Sequence, residues 1–158
     1  MKKLLIFTIL ATILLTACIF TPSDDNLSGD VFFLTDFDGN PTTTFKIGES
    51  FCMNFYLINT TEDSLDYSYT SPKVSFTIYK GISRIIGSWD GLVFGQVVVE
   101  DKLAPGDTLL GLWLAPTPGH WSSIKTLSPG NYRAVATFPD IPELQTDTIS
   151  AINFTITE

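Results

Sequence analysis

The chain has 158 residues, a formal net charge of −8, 44% hydrophobic and 13% aromatic residues, and only 16% charged residues. An average soluble domain is about 25% charged, so this composition excludes intrinsic disorder and indicates about one compact domain. The acidic balance argues against a nucleic-acid partner, because phosphates require a basic surface. Two cysteines and one histidine are too few for a disulfide scaffold or a zinc site with several histidines.

The N-terminal segment has the three parts of a bacterial lipoprotein signal. Met1-Lys2-Lys3 is basic, residues 4–15 are apolar, and Leu15-Thr16-Ala17-Cys18 follows. As a helix the apolar stretch spans about 18 Å, short of the ~30 Å hydrocarbon core, so it fits a signal peptide better than a membrane span. The last four residues resemble the lipobox. That resemblance implies cleavage before Cys18 and a diacylglycerol thioether on its sulfur; the alternative is an ordinary signal peptide with a chance cysteine.

Cleavage changes the totals of the chain. Without residues 1–17 the mature protein has 141 residues and a formal charge of −10, because Lys2 and Lys3 are lost. Residues 18–29 are then the lipidated cysteine and a polar tether that anchors the protein to a membrane of the bacterial cell envelope, facing outside the cytoplasm. The acidic body is expected to stand off the surface. Cys52 is expected to be an inert, half-buried thiol in a strand.

The sequence pattern of residues 30–158 predicts strands, and no stretch of it keeps a helical period of apolar residues over three turns. In residues 49–59, Phe51, Met53, Phe55 and Leu57 share one face, which indicates a half-buried strand. Residues 92–100 are apolar on both faces, as expected for a central strand, and the phase of Ile149 suggests a bulge near Ser150. The fold class is therefore all-β, an immunoglobulin-like antiparallel β-sandwich of about seven or eight strands. The expected strands are 31–36, 49–59, 74–79, 92–100, 107–114, 132–138 and 147–157.

Two Pro-Gly turns, at 103–107 and 127–131, each begin a strand. Tyr132 follows the second Pro-Gly by two residues, a spacing typical of the tyrosine corner of β-sandwiches.

Candidate chemistry is sparse, so we expect neither catalysis, nor a metal, nor a cofactor. Residues 36–40 (Asp-Phe-Asp-Gly-Asn) superficially suggest a calcium loop, but the glycine is misplaced and Ile47 occupies the position of the bidentate glutamate. A hairpin turn is the better interpretation. His120 lies in a loop composition, and the chain has no Gly-x-Ser-x-Gly elbow for a nucleophilic serine.

Binding is the stronger expectation, through two proline-containing loops at 115–123 and 139–144. Prolines hold a loop extended and reduce the entropy that is lost on binding. Trp121 either anchors a partner or caps the end of the sandwich, whereas Trp89 and Trp113 are expected in the core. The candidate partner-binding residues are Pro118, His120, Trp121, Ile141 and Glu143.

Residues 55–138 resemble the BsuPI-type intracellular proteinase inhibitor family. The matching elements, in order, are Asn59-Thr60-Thr61, Tyr67-Ser68-Tyr69, Phe76-Thr77-Ile78, Trp89-Asp90-Gly91, Phe94-Gly95-Gln96, Leu103 to Asp107, Trp113, and Pro129 to Tyr132. The family's Ser-Gly-Gln and Tyr-Asp elements are replaced here by residues 71–75, and no reactive-site residue carries over.

This resemblance implies a binding module that contacts a protein partner, with a protease as one candidate, and the lipobox implies that the module is lipid-anchored outside the cytoplasm, unlike the family's intracellular inhibitor. The alternatives are a structural assembly protein of the envelope without inhibitory activity, and a glycan-binding module.

Overall fold

The computed structural model describes residues 30–95, 97–117, 126–141 and 149–158, and these residues form ten strands and no helix. No helix of this part of the chain is long and apolar enough to cross a membrane. The strands are β1 (Asp30–Thr35), β2 (Thr44–Lys46), β3 (Phe51–Ile58), β4 (Leu65–Thr70), β5 (Ser75–Lys80), β6 (Ser83–Gly87), β7 (Val98–Leu103), β8 (Thr108–Ala115), β9 (Gly130–Thr137) and β10 (Ile149–Thr157).

The strands form a three-stranded sheet, a five-stranded sheet and a two-stranded ribbon. The three-stranded sheet has the order β1-β3-β8, the five-stranded sheet β2-β10-β9-β5-β6, and the ribbon consists of β4 and β7. All pairs are antiparallel except β2 with β10, which is parallel. The expected β-sandwich class is confirmed, with ten strands rather than seven or eight and with one parallel pair.

Aromatic side chains from the two larger sheets meet in the core. Phe51 of β3 stacks on Phe45 of β2 with 4.3 Å between ring centroids, and lies 5.1 Å from Phe154 of β10. Phe76 of β5 approaches Trp113 of β8 at 6.4 Å. Such pairs add about 0.5–1.5 kcal/mol each beyond the area they bury, which explains why a chain so rich in aromatics forms a stable sandwich.

β4 follows β3 in the chain and β7 precedes β8, so the ribbon extends the β3-β8 pair by the next strand on each side. Ile58 pairs with Thr108 at the end of one ladder, and Leu65 pairs with Leu103 at the start of the next. Residues 59–64 on one side therefore face residues 104–107 on the other. Among the described residues β1 begins at Asp30, opposite Leu57 and next to this break, so β4 and β7 have no part of β1 beside them and form a separate ribbon.

Asn59 holds the two sides of this break together. Its side chain is fully buried. Its Nδ2 donates to the carbonyls of Asp63 and Leu103, both at 2.8 Å, and its Oδ1 accepts from the backbone N–H and hydroxyl of Thr61. The backbone of Gly106 also donates to the Asn59 carbonyl at 2.8 Å. Two elements of the inhibitor resemblance, Asn-x-Thr and Leu-x-Pro-Gly-Asp, are thus one interlocked structural unit.

Several local predictions are confirmed. Tyr132 donates its hydroxyl hydrogen to the Ser128 carbonyl at 2.7 Å, which is the bond of a tyrosine corner. Residues 36–40 form a turn in which Asp36 accepts hydrogen bonds from the backbone N–H groups of Asp38 and Asn40. The side-chain amide of Asn40 binds the same carboxylate and is the main reason why the pKa of Asp36 is lowered. The turn uses this carboxylate internally, as the hairpin interpretation expects.

Other predictions are wrong. The ladder between β10 and β9 runs in unbroken register from Ile149 to Ile156, so the bulge expected near Ser150 is absent. Cys52 is fully buried rather than half-buried, and it is disulfide-bonded, not a thiol. Trp113 is buried as expected, but Trp89 is 39% exposed at the surface.

The largest error concerns residues 92–100. Residues 92–95 and 97 are irregular, and the strand begins only at Val98. This strand, β7, belongs to the two-stranded ribbon and not to the centre of a sheet. An apolar pattern on both faces indicates a buried strand only when sheets cover both faces, and here the valines lie at the surface.

Candidate protein-binding surface

Five apolar side chains between Trp89 and Val99 are exposed. Val97 and Val98 are 66% and 64% exposed, and Val93 projects almost fully into solvent. Contiguous exposed apolar side chains on a soluble domain mark interaction sites far more often than isolated ones do. We call Trp89, Val93, Val97, Val98 and Val99 the valine edge.

Strand β7 gives the valine edge an extended backbone. Among the described residues, β7 pairs with β4 alone, so one side of its backbone lacks a strand neighbour there. Edge strands are normally protected by charges, prolines or bulges, because their free N–H and C=O groups can pair with another chain. The charged residues of β7 lie in its second half, at Glu100, Asp101 and Lys102. Its first half, Val98 and Val99, has no such protection.

The start of the valine edge is held by the turn after β6. Arg84 forms an ion pair with Asp90 at 2.5 Å, and the same carboxylate accepts the backbone N–H of Gly87 at 2.8 Å. The Trp89 indole donates to the Val74 carbonyl at 3.1 Å, and its ring meets Phe94 edge-on at 5.1 Å. The indole is therefore fixed by one polar bond and one ring contact, while part of its surface stays in solvent. A rigid, partly exposed tryptophan is a common anchor in protein interfaces.

Behind β7, a cluster of charged and aromatic side chains holds the ribbon. Lys73 bonds Asp101 at 2.7 Å, and its ammonium lies 5.4 Å and 5.0 Å from the ring centroids of Tyr67 and Tyr69. The Tyr67 hydroxyl donates to the same Asp101 carboxylate at 3.0 Å. A charged hydrogen bond with two cation–π contacts fixes β7 against the rest of the domain.

The pKa values of this cluster follow from its contacts. The bond from Lys73, with smaller contributions from the Lys102 backbone N–H and the Tyr67 hydroxyl, lowers the pKa of Asp101 to about 2. Burial alone would lower the pKa of Lys73, but its bonds to Asp101 and Tyr67 outweigh burial and raise it. For Tyr67, burial is the main reason why the pKa of the hydroxyl is raised. The pair therefore stays charged at neutral pH and acts as a structural support.

An open cleft of about 830 Å³ lies beside the ribbon. Its carboxylates are Asp66, Glu100, Asp101 and Asp140. Tyr67 also lines the cleft but is largely buried, so it offers no ring face on which a sugar could stack. Lys102 also lines the cleft, and Asp66 and Asp101 are already paired with Lys102 and Lys73. Glu100 and Asp140 are the carboxylates that favour positive charge on a partner.

Four of the five predicted binding residues lie outside the part of the chain that the structure describes. Pro118, His120, Trp121 and Glu143 lie outside the described residues. Ile141 is only 1% exposed and belongs to the core cluster. Its aliphatic side chain fills the sandwich interior and is not available to a partner, which corrects the expectation for this residue. Cys18 also lies outside the described residues.

Sequence reasoning missed the valine edge because it assigned Val97 to Val99 to a central strand. The available signal was the charged sequence Glu100-Asp101-Lys102 directly after the valines. A central strand rarely carries three consecutive charges, whereas an edge strand does. In the part of the chain that the structure describes, no three histidine, cysteine or acidic residues are grouped closely enough to hold a metal ion.

No family model matches the sequence, and no curated protein matches it. Solved structures to which this chain shows some likeness include a β-glucosidase from Erythrobacter marinus, with 13% identity over 82% of this chain and a TM-score of 0.42. A β-glucosidase from Listeria innocua has 11% identity over 82% of the chain and a TM-score of 0.41. This chain covers only 15% and 16% of those two proteins. The CARDB domain of a Pyrococcus furiosus protein, solved with di-metal ions, has 11% identity and a TM-score of 0.40; the match covers 87% of this chain and all of that one.

Proposed function

We propose that the protein is a lipid-anchored module of the bacterial cell envelope that binds a protein partner along the valine edge, with a protease as the favoured partner. The observation that supports this proposal is the extended, apolar and solvent-exposed first half of β7. A partner strand added there would gain backbone hydrogen bonds from β7 and bury the valine side chains. Proteases hold their substrates as extended strands, so an extended edge that resists cleavage suits an inhibitor.

Contacts at both ends of the valine edge favour an inhibitor over a substrate. The ion pair of Arg84 with Asp90 fixes one end, and the bond between Lys73 and Asp101 fixes the other. An ordered strand loses less conformational entropy on binding than a flexible one. Its ends also cannot separate easily after a nick, which favours a tight complex over release of products.

The experiment is a titration of a subtilisin-like serine protease with the mature protein. We expect stoichiometric inhibition that Val98→Lys weakens at least tenfold, because a charge would then enter the apolar contact. Ile82→Lys is the matched control, since Ile82 is a fully exposed apolar residue of the β5-β6 hairpin. Rapid cleavage without inhibition, or equal loss in both variants, would contradict the proposal.

The anchor is tested separately by mass spectrometry. The chain has only two cysteines, so a thioether lipid on Cys18 and a disulfide between Cys18 and Cys52 exclude each other. We expect protein extracted from membranes to begin at Cys18 and to carry acyl mass there, with the disulfide of Cys52 then formed with another chain. A chain of unmodified mass in which Cys52 is bonded to Cys18 would refute the lipid anchor.

A further inference from the structure

The outward face of the three-stranded sheet differs from that of the five-stranded sheet. Outward positions of the five-stranded sheet are mostly polar, for example Arg133, Asn153 and Thr155. On the three-stranded sheet, the strand register puts three rows of paired residues on the side that faces away from the core. None of these rows contains a charged residue. The rows are Thr35–Cys52–Leu114, Phe33–Asn54–Leu112 and Val31–Tyr56–Leu110. We call these nine residues the outer face.

The centre of the outer face is covered, and its β8 border is not. Thr35, Cys52 and Asn54 are fully buried, although they point away from the sandwich core. Leu110 and Leu112 on β8 remain 57% and 47% exposed. A sheet face that is apolar, uncharged and partly open needs a covering element.

Two buried polar atoms indicate what kind of element covers this face. Thr35 Oγ1 and Asn54 Oδ1 have no hydrogen-bond partner among the described residues. An unpaired buried polar group costs about 1–3 kcal/mol, so native structures almost always provide a partner. An apolar surface with two such atoms fits a peptide segment that brings both apolar side chains and backbone N–H groups. A lipid or detergent chain would leave both oxygens unpaired.

We infer that the segment Ile19-Phe20-Thr21-Pro22 of this chain occupies the outer face. The segment is uncharged and begins with two large apolar residues. It precedes Asp30, the first residue of β1, which is itself an edge strand of this sheet. The ten residues from Phe20 to Asp30 can span up to about 35 Å. The centre of the outer face lies only about 11 Å from Asp30, being three residues along β1 and one strand across.

A second copy of the chain fits this face less well. Three strands of about five residues give a footprint of about 240 Å², whereas a stable interface buries about 800 Å² on each partner. Two copies of a chain with formal charge −10 after cleavage would also repel each other. A short tether gives its own segment an effective concentration in the millimolar range, so a small footprint is sufficient. The inference does not depend on the proposed function or on whether Cys18 is lipidated.

If Cys18 carries the proposed lipid, docking of this segment would also shorten the tether, and the outer face would then lie towards the membrane. This consequence, unlike the docking itself, rests on the proposed function.

The test is a double-mutant cycle on residues 18–158 carrying Cys18→Ser, so that no bond between Cys18 and Cys52 holds the segment in place. Phe20→Ser and Leu112→Ser are measured singly and together by urea unfolding, with Thr21→Ser as the matched control in the segment. If Phe20 packs on Leu112, the two substitutions are coupled, and the unfolding constant of the double variant differs at least threefold from the product of the single effects. Phe20→Ser should also speed hydrogen exchange in β8.

Multiplicative effects of Phe20→Ser and Leu112→Ser, with unchanged exchange in β8, would overturn the inference. A dimer in sedimentation equilibrium that Leu112→Ser dissociates would overturn it in favour of a second copy. Coupling that is present only with phosphatidylglycerol vesicles would assign the outer face to the membrane and would equally overturn it.

Discussion

Replacement of Asn59 by alanine is the sharpest perturbation of this fold, because this one buried side chain joins the β3-β8 pair to the ribbon of β4 and β7. The amide makes four hydrogen bonds, two through Nδ2 to carbonyls and two through Oδ1 to Thr61. Alanine removes all four. It also leaves the carbonyl of Leu103, a nearly fully buried residue, without its donor.

The expected cost follows from these contacts. Each hydrogen bond contributes about 1 kcal/mol net, and a buried acceptor left unpaired adds about 1–3 kcal/mol. Because part of the loop can regain water, we expect Asn59→Ala to lower the free energy of unfolding by about 3–5 kcal/mol. That is a large fraction of the roughly 5–15 kcal/mol typical of a domain. Asn59→Asp keeps both bonds to Thr61 but loses both donors, so its loss should be large as well.

The assay is urea unfolding followed by tryptophan fluorescence, with free energies extrapolated to water. Asn153→Ala is the control, because Asn153 begins the same Asn-x-Thr tripeptide but is exposed on the outward side of β10. It should change stability by less than about 0.5 kcal/mol. A cost below about 1 kcal/mol for Asn59→Ala, or an equal cost for both variants, would refute the role assigned to this amide.

Three further predictions test the core, the tyrosine corner and the charged cluster. Gly111→Ala should cost about 1–3 kcal/mol, because its Cβ would lie 2.5 Å from Val74, while Gly95→Ala, with its nearest atom at 3.8 Å, should be nearly neutral by the same unfolding assay. Tyr132→Phe should cost about 1 kcal/mol through loss of the corner bond, and a thermal midpoint equal to wild type would contradict that. Since the pKa of Asp101 is lowered to about 2 from 3.8, its contribution to stability is present above about pH 4 and is lost as pH falls towards 2. Unfolding midpoints between pH 2 and 5 should therefore vary less in Asp101→Asn, and an unchanged pH profile would exclude this contribution.

Alternation predicted three strands of the five-stranded sheet, β5, β9 and β10, and missed the short strands β2 and β6. In β9, Tyr132, Ala134 and Ala136 face the core as their period of two requires. β3 was also located correctly, together with its core face. The prediction that its other face is half-exposed failed, because Cys52 and Asn54 are fully buried. A period of two shows that two faces differ in composition, but it does not show what covers the second face.

The binding surface could not be predicted for a related reason. Val97 to Val99 have the composition of a buried strand, and their exposure results from β7 pairing with β4 alone among the described residues, which is a property of the topology. In β8 both faces are apolar, and the sequence does not decide which one enters the core. The close approach of Val74 and Phe76 to Gly111 decides it, since only a residue without a Cβ fits there. Such contacts join residues far apart in the chain and leave no local signal.

The most direct test of the account is hydrogen exchange across β7 during titration with a subtilisin-like protease. The account predicts that backbone amides from Val97 to Glu100 become protected at one equivalent of protease, while those of the β5-β6 hairpin do not change. Unchanged exchange in β7 at saturating protease, or cleavage of the chain within this segment, would contradict the proposal that the valine edge is an inhibitory binding strand.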